Sequence, residues 1–262
     1  MLATQLAAIE TFGGVLGLWA IAAVALIALY AATGLALEAM NARHPERRIQ
    51  SRAPSDRRTD IRQSLLSLLF IAAYVAAGLW LQAQGWGLFS PWDLGLLEVV
   101  VGFVVSLVIY DAWFYWAHRL MHTRALYRFH AQHHVSIAPT PWSNNNDTMV
   151  GTFFEQSYFL VAPLVLPFPA LVFVMHKIWD QVTGMIGHAG HEYFASPIAR
   201  APWLGVCTVY HDQHHAQFRC NFANTFTFWD RLCGTLHPTY DASVRRFEGP
   251  AGEAPTGQKT GR

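Results

Sequence analysis

Two pentads, HAQHH at 130–134 and HDQHH at 211–215, each hold three histidines in five positions, and a shorter HRLMH lies at 118–122. On a helix, residues i and i+4 share a face one turn apart and i+3 lies beside them. Each motif is therefore expected to aim two or three imidazoles at one point. With HAGHE at 188–192, the candidate ligands are His118, His122, His130, His133, His134, His188, His191, His211, His214 and His215. That set exceeds the four that close a structural zinc site and suffices for two metal ions. Neutral imidazole suits zinc, copper, iron and nickel, whereas oxygen-rich sites suit magnesium or calcium. Burying so many rings for packing alone would demand a hydrogen-bond partner for each, at about 1–3 kcal/mol for every polar group left unpaired. The rings read as metal ligands, not as general acids or bases.

His44 and His237 lie outside these motifs and read as surface or local hydrogen-bonding residues. Three positions stay open as additional members of the metal site: His176, which follows an apolar stretch, and Asn146 and Asp147 in SNNNDTM, 143–149. Asp180, Glu192, Asp212 and Asp230 are candidates to accept the second ring N–H of a ligand histidine. Cys207, Cys220 and Cys233 are odd in number and form no CxxC, so they indicate neither a disulfide framework nor a thiolate zinc site.

The elements that must position these rings are unlike those of a soluble domain. The chain is 53% hydrophobic and 13% charged, against about a quarter charged in ordinary globular proteins. An integral membrane protein follows. A net charge of +1 hides a cluster of seven arginines between Arg43 and Arg62, offset only by Glu46, Asp56 and Asp60. It reads as a cytoplasmic loop under the positive-inside rule, not as a nucleic-acid patch. Thr11–Leu37 and Ser64–Gln84 are uncharged, and Leu94–Ala117 carries only Glu98 and Asp111. Each is long enough for the roughly 20 residues a bilayer crossing needs. With the arginine loop inside, His118 emerges on the cytosolic side. The next apolar stretch, Val150–Met175, contains VLPFPA at 165–170, and its prolines remove donors and obstruct a helix. A re-entrant hairpin, or two short helices turning at the prolines, keeps all the histidines on one side.

The order HxxxH, HxxHH, HAGHE, HxxHH among these spans resembles the fatty acid hydroxylase and sterol desaturase superfamily of membrane di-iron oxygenases. HDQHHAQFRCNFANTFTFWDRLCGT, 211–235, is similar to that family's last histidine box with its Asn and Trp-Asp-Arg run. The resemblance covers roughly residues 94–237. It implies an all-α fold, with about four membrane helices or hairpins under a cytosolic histidine-rich helical cap, and two iron ions that zinc can replace in purified protein. By position, His118 and His122 match the first box, His130, His133 and His134 the second, His188 the HxG position, and His211, His214 and His215 the last. His191 is carried by geometry more than by the resemblance. Several sterol-oxidising members hold another histidine where this chain reads SNNNDTM, which weakens a sterol 4-methyl oxidase assignment.

The expected organisation is N-terminal membrane helices with the arginine loop over 1–93, a catalytic domain over 94–240 and a disordered tail over 241–262. The expected function is O2-dependent hydroxylation or desaturation of an unactivated C–H bond in a lipid. Electrons would come from a separate ferredoxin, rubredoxin or cytochrome with its reductase, in the inner membrane of a bacterium. Trp113, Tyr115, Trp142, Phe153, Phe154 and Tyr158 are candidates to line a substrate channel. The alternative from a different class is a membrane transporter or buffer of zinc or iron.

Overall fold

The computed structural model describes residues 12–203 and 205–249. Among these the only strand-like pairing is one isolated bridge between Arg48 and His191; everything else regular is helical. Three long helices, α1 (Phe12–Arg43), α2 (Arg57–Ala83) and α3 (Leu96–Met121), are apolar and long enough to cross a membrane. α2 starts sharply because the Asp56 side chain accepts from the Thr59 N–H, satisfying a backbone donor that a helix start leaves free. Along α3, Leu96, Leu97, Val100, Val104 and Val108 are exposed, an apolar face suited to lipid rather than water.

The other face of this bundle is packed. Ala23, Leu26 and Tyr30 of α1 meet Leu68, Ile71 and Ala72 of α2, with Trp142 wedged at the end. The Trp142 carbonyl accepts from Tyr30 Oη at 2.8 Å and Ser64 Oγ at 2.9 Å, and its indole N–H donates to Glu38 at 2.6 Å. Gln63 and Ser67 reach the Asp147 carbonyl at 2.8 and 2.9 Å. These bonds anchor the loop of the second histidine box to the first two helices.

The fourth apolar stretch does turn back. After a four-residue helix α4 (Tyr127–His130), α5 (Met149–Gln156) and α6 (Tyr158–Val165) end at Leu166, and α7 (Ala170–Gly187) begins after Pro169. α6 packs on both α2 and α7. The approach to α2 depends on Gly78, where a Cβ would lie 2.3 Å from the Phe159 carbonyl oxygen.

α8 (Thr208–Gln217), α9 (Phe228–Leu232) and α10 (Tyr240–Phe247) complete the fold. The last corrects the expected disordered tail and the boundary at 240. Tyr240, Val244 and Phe247 are buried with Tyr115, Val209, Tyr210 and Phe222. Arg47 Nη1 also donates to the Phe247 carbonyl at 2.8 Å. Tyr240, Val244 and Phe247 sit at i, i+4 and i+7, a helical stripe hidden within a polar composition. The remainder of the tail, 250–262, lies outside the described residues.

Candidate metal centre

Nine of the ten candidate histidines converge, in two adjoining groups. His118 from the end of α3, His122 just beyond it, His130 of α4, His134 and His214 of α8 form the first. His133, His188 at the end of α7, His211 and His215 form the second. Within each group the candidate ligand atoms lie within 4.8 Å of one another. Both pentads are divided in the same way. The i and i+4 rings, His130 with His134 and His211 with His215, stay together, while the i+3 rings, His133 and His214, cross to the other group. A pentad therefore does not aim at one point, as expected; it bridges two.

Ring orientation is set by the far nitrogens. His118 Nδ1 donates to the Phe222 carbonyl at 2.8 Å and His214 Nδ1 to the Cys220 carbonyl at 2.6 Å. His188 Nδ1 donates to the Gly184 carbonyl at 2.7 Å and His133 Nδ1 to that of Asn146 at 3.3 Å. A neutral ring with its proton on Nδ1 presents a lone pair at Nε2. Yet His133 Nε2 and His188 Nε2 lie 3.2 Å apart, and His211 and His215 bring their Nε2 atoms to 3.0 and 3.1 Å from that of His188. In the first group His134 Nε2 is 3.0 Å from His122 Nε2 and 3.1 Å from His214 Nε2, while the buried Nε2 atoms of His118 and His130 have no partner. Lone pairs converging with too few protons between them call for a cation at each centre. All-imidazole donor sets fit iron or zinc.

Electrostatics keep the rings in the ligating form. Burial pushes His122 down to about 3 and His188 down to about 4. Burial and then neighbouring imidazoles hold His133, His134, His211, His214 and His215 well below the usual range. His130 goes the other way: burial opposes its charge, but the Asp147 carboxylate, 3.1 Å from Nδ1, outweighs burial and raises it.

His191 is the exception to the expected ligand set. Gly190, at φ +67°, turns the chain away after His188, and His191 ends beside Tyr193 with Nδ1 3.4 Å from the Ala189 carbonyl. His176 joins neither group; its Nδ1 pairs with Ser106 at 2.7 Å among Tyr110, Tyr158 and Phe159. His44 pairs with Glu46 and His237 with Thr239. Asn146 and Asp147 orient His133 and His130 from behind.

The candidates Asp180, Glu192, Asp212 and Asp230 do not take these ring N–H groups; backbone carbonyls and Asp147 do. Asp230 acts one step back. It accepts from the Phe222 and Ala223 N–H groups, both at 2.9 Å, fixing the loop whose carbonyls orient His118 and His214. The residue missed from sequence is Asp60. It is buried and accepts from Ser136 at 2.8 Å, Ser143 at 2.9 Å and Asn146 at 2.7 Å.

A cavity of about 460 Å³ reaches His133, His188 and His211 of the second group and none of the first. Its walls are apolar at Ile71, Phe114, Trp179 and Val206, and polar at Asn144, Glu155, Asp180 and Asn224. The aromatic candidates for a channel lining are not among its walls; Phe114, Trp179 and Phe194 are.

Residues 103–235, half of the chain, match the fatty acid hydroxylase family. The chain belongs to that family. Homo sapiens lathosterol oxidase is 27% identical over 184 residues, covering 68% of this chain and 60% of the relative. Gibberella zeae Delta(7)-sterol 5(6)-desaturase is 28% identical over 159 residues, 59% of this chain and 44% of that one. Mus musculus cholesterol 25-hydroxylase is 31% identical over 151 residues, with coverages of 54% and 48%. The chain thus spans between 44% and 60% of the length of these relatives. No solved structure matches it. All nine convergent histidines of this fatty acid hydroxylase family member fall inside the matched segment, whereas Asp60 and the closing helix α10 fall outside it.

Proposed function

We propose that this protein is a membrane-bound non-heme di-iron oxygenase that hydroxylates or desaturates an unactivated C–H bond of a lipid, using O2 and electrons from an external carrier. The observation that carries this reading is the convergence of nine imidazoles into two adjoining groups in which Nε2 atoms of several rings face one another. His118, His122, His130, His134 and His214 would hold one iron and His133, His188, His211 and His215 the other. Bound there, iron would supply the activation of O2 that organic side chains cannot provide.

The rest of the work belongs to the chain itself. The cavity walls would hold the substrate against the second group, with apolar Ile71, Phe114 and Trp179 along its hydrocarbon part. Because a displacement of about 1 Å can change rates on the order of a hundredfold, these walls choose between alcohol and alkene by where they place the target carbon. The arginine cluster between α1 and α2 supports, through the positive-inside rule, a reading in which the histidine-bearing end faces the cytosol, in a bacterial inner membrane. Transport is the weaker reading. Transporter sites lie at the bilayer midplane on broken helices, whereas these groups lie at and beyond the C-terminal end of α3.

Lipid mass spectrometry of cells making the native chain or His133→Ala, supplied with iron and 18O-labelled O2, tests the proposal. A lipid gaining one labelled oxygen, or losing two hydrogens, only with the native chain is the expected result. Metal uptake by proteoliposomes without oxygen consumption would favour the transporter instead.

A further inference from the structure

The two metal groups face different parts of the molecule. The cavity touches only the second. The first is covered on its other flank by two rings: Phe218, 4.9 Å from the His134 ring, and Tyr127, 5.5 Å from that of His122 and 6.1 Å from that of His134. Phe218 holds φ +63° at the C-terminal end of α8. The two rings thus cover this flank of the first group, of which His122 is itself half-buried.

That surface carries one sign of charge. Arg124 and Arg128 flank Tyr127, Arg219 follows Phe218, and all three are exposed. None has a carboxylate partner, whereas Arg57, Arg200 and Arg231 each do. The chain has no Asp or Glu between Asp111 and Asp147, nor between Asp212 and Asp230, so both segments that build this face present only cations. Val135, next to His134, is 64% exposed and Ile137 is 40% exposed. The result is an apolar centre with a basic rim, beyond the C-terminal end of α3 and away from the substrate cavity.

We propose that this face docks an acidic one-electron carrier protein, so that electrons enter through the first group while substrate meets the second. The inference rests on the oxygenase reading, whose balance is RH + O2 + 2 e− + 2 H+ → ROH + H2O. Two reduced carriers are oxidised for each alcohol formed. A basic rim attracts an acidic partner over roughly a Debye length of 8 Å at physiological salt and speeds its encounter. The apolar centre then lets the partner approach the two rings without desolvating a charge.

The test uses the iron-loaded full chain in nanodiscs of neutral phosphatidylcholine, with a plant-type [2Fe–2S] ferredoxin, an acidic carrier, as the probe. Binding is measured at about 20 mM and about 0.5 M salt. The native chain should bind in low salt and lose most of that affinity in high salt. R124E/R128E/R219E should bind at least ~30-fold more weakly in low salt, as charge reversal at a steering rim demands, while R124K/R128K/R219K retains binding. Equal binding by the native and reversed chains, or no low-salt binding by the native chain, overturns the proposal. So does protection of all three arginines from an arginine-specific reagent in carrier-free discs, which would assign them to the bilayer surface. Iron content of the same samples separates the two readings: unchanged iron in the reversed chain shows an intact centre. Charge-dependent docking by a native chain that takes up no iron would leave the surface standing and remove the oxygenase.

Discussion

Asp60 and Asn146, 86 positions apart, are joined at 2.7 Å between carboxylate and side-chain amide, and the Asn146 carbonyl in turn orients His133. A carboxylate at the foot of α2 thereby reaches the second metal group through one intermediate residue.

Replacing Asp60 with Ala leaves the buried donors of Ser136, Ser143 and Asn146 without their shared acceptor. Each orphan costs about 1–3 kcal/mol, partly relieved by water entering the space. The expected outcome is a loss of about 3 kcal/mol and a fall in iron held by the second group. Thermal unfolding in detergent and metal analysis of the purified variant check both. A variant as stable as the native chain would show that Asp60 is dispensable to the loop.

Asp147→Asn keeps an acceptor beside His130 Nδ1 but removes its charge. Loss of such a supporting carboxylate typically lowers metal affinity about 10–100-fold. Chelator competition, followed by the iron remaining per chain, measures the effect. An unchanged affinity would mean that His130 is oriented by its packing alone.

The iron-free protein should be labile to acid. Buried His188 and half-buried His122 are depressed from 6.5 to about 4 and about 3, so the unfolded chain binds the extra protons. Their contribution to stability is complete above pH 6.5 and falls as pH drops through the window towards 4 and 3. The slope for each ring approaches about 1.4 kcal/mol per pH unit. Urea or thermal unfolding of metal-free protein between pH 7.5 and pH 5 should show this decline, and a flat profile would contradict the neutral, buried rings.

Gly78→Val tests the contact of α2 with α6. A Cβ already meets the Phe159 carbonyl oxygen at 2.3 Å, so the helices must separate. Overpacking of this kind costs about 1–3 kcal/mol. The substitution should lower the unfolding temperature and, because α6 leads into α7 and so to His188, reduce iron in the second group more than in the first.

The convergence of the histidines was legible because imidazoles at i, i+3 and i+4, repeated in a chain with few charges, have little other use than to meet one another. The long spans were legible because length and apolarity alone decide whether a helix can cross a bilayer. The closing helix was partly legible in Tyr240, Val244 and Phe247, but the surrounding Gly, Pro and Arg pointed to disorder. Its order comes from contacts with Tyr115 and Phe222, far away in sequence.

By itself, the sequence determined which residue types are available for metal ligation and which segments must be helical and apolar, since both follow from local chemistry and period. Only the tertiary structure decided how they are shared out. Packing of α3, α7 and α8 sends His133 and His214 across to opposite groups, Gly190 turns His191 away, and Asp60 finds Asn146. Those outcomes depend on long-range docking of helices and on buried polar groups finding partners, which no local spacing encodes.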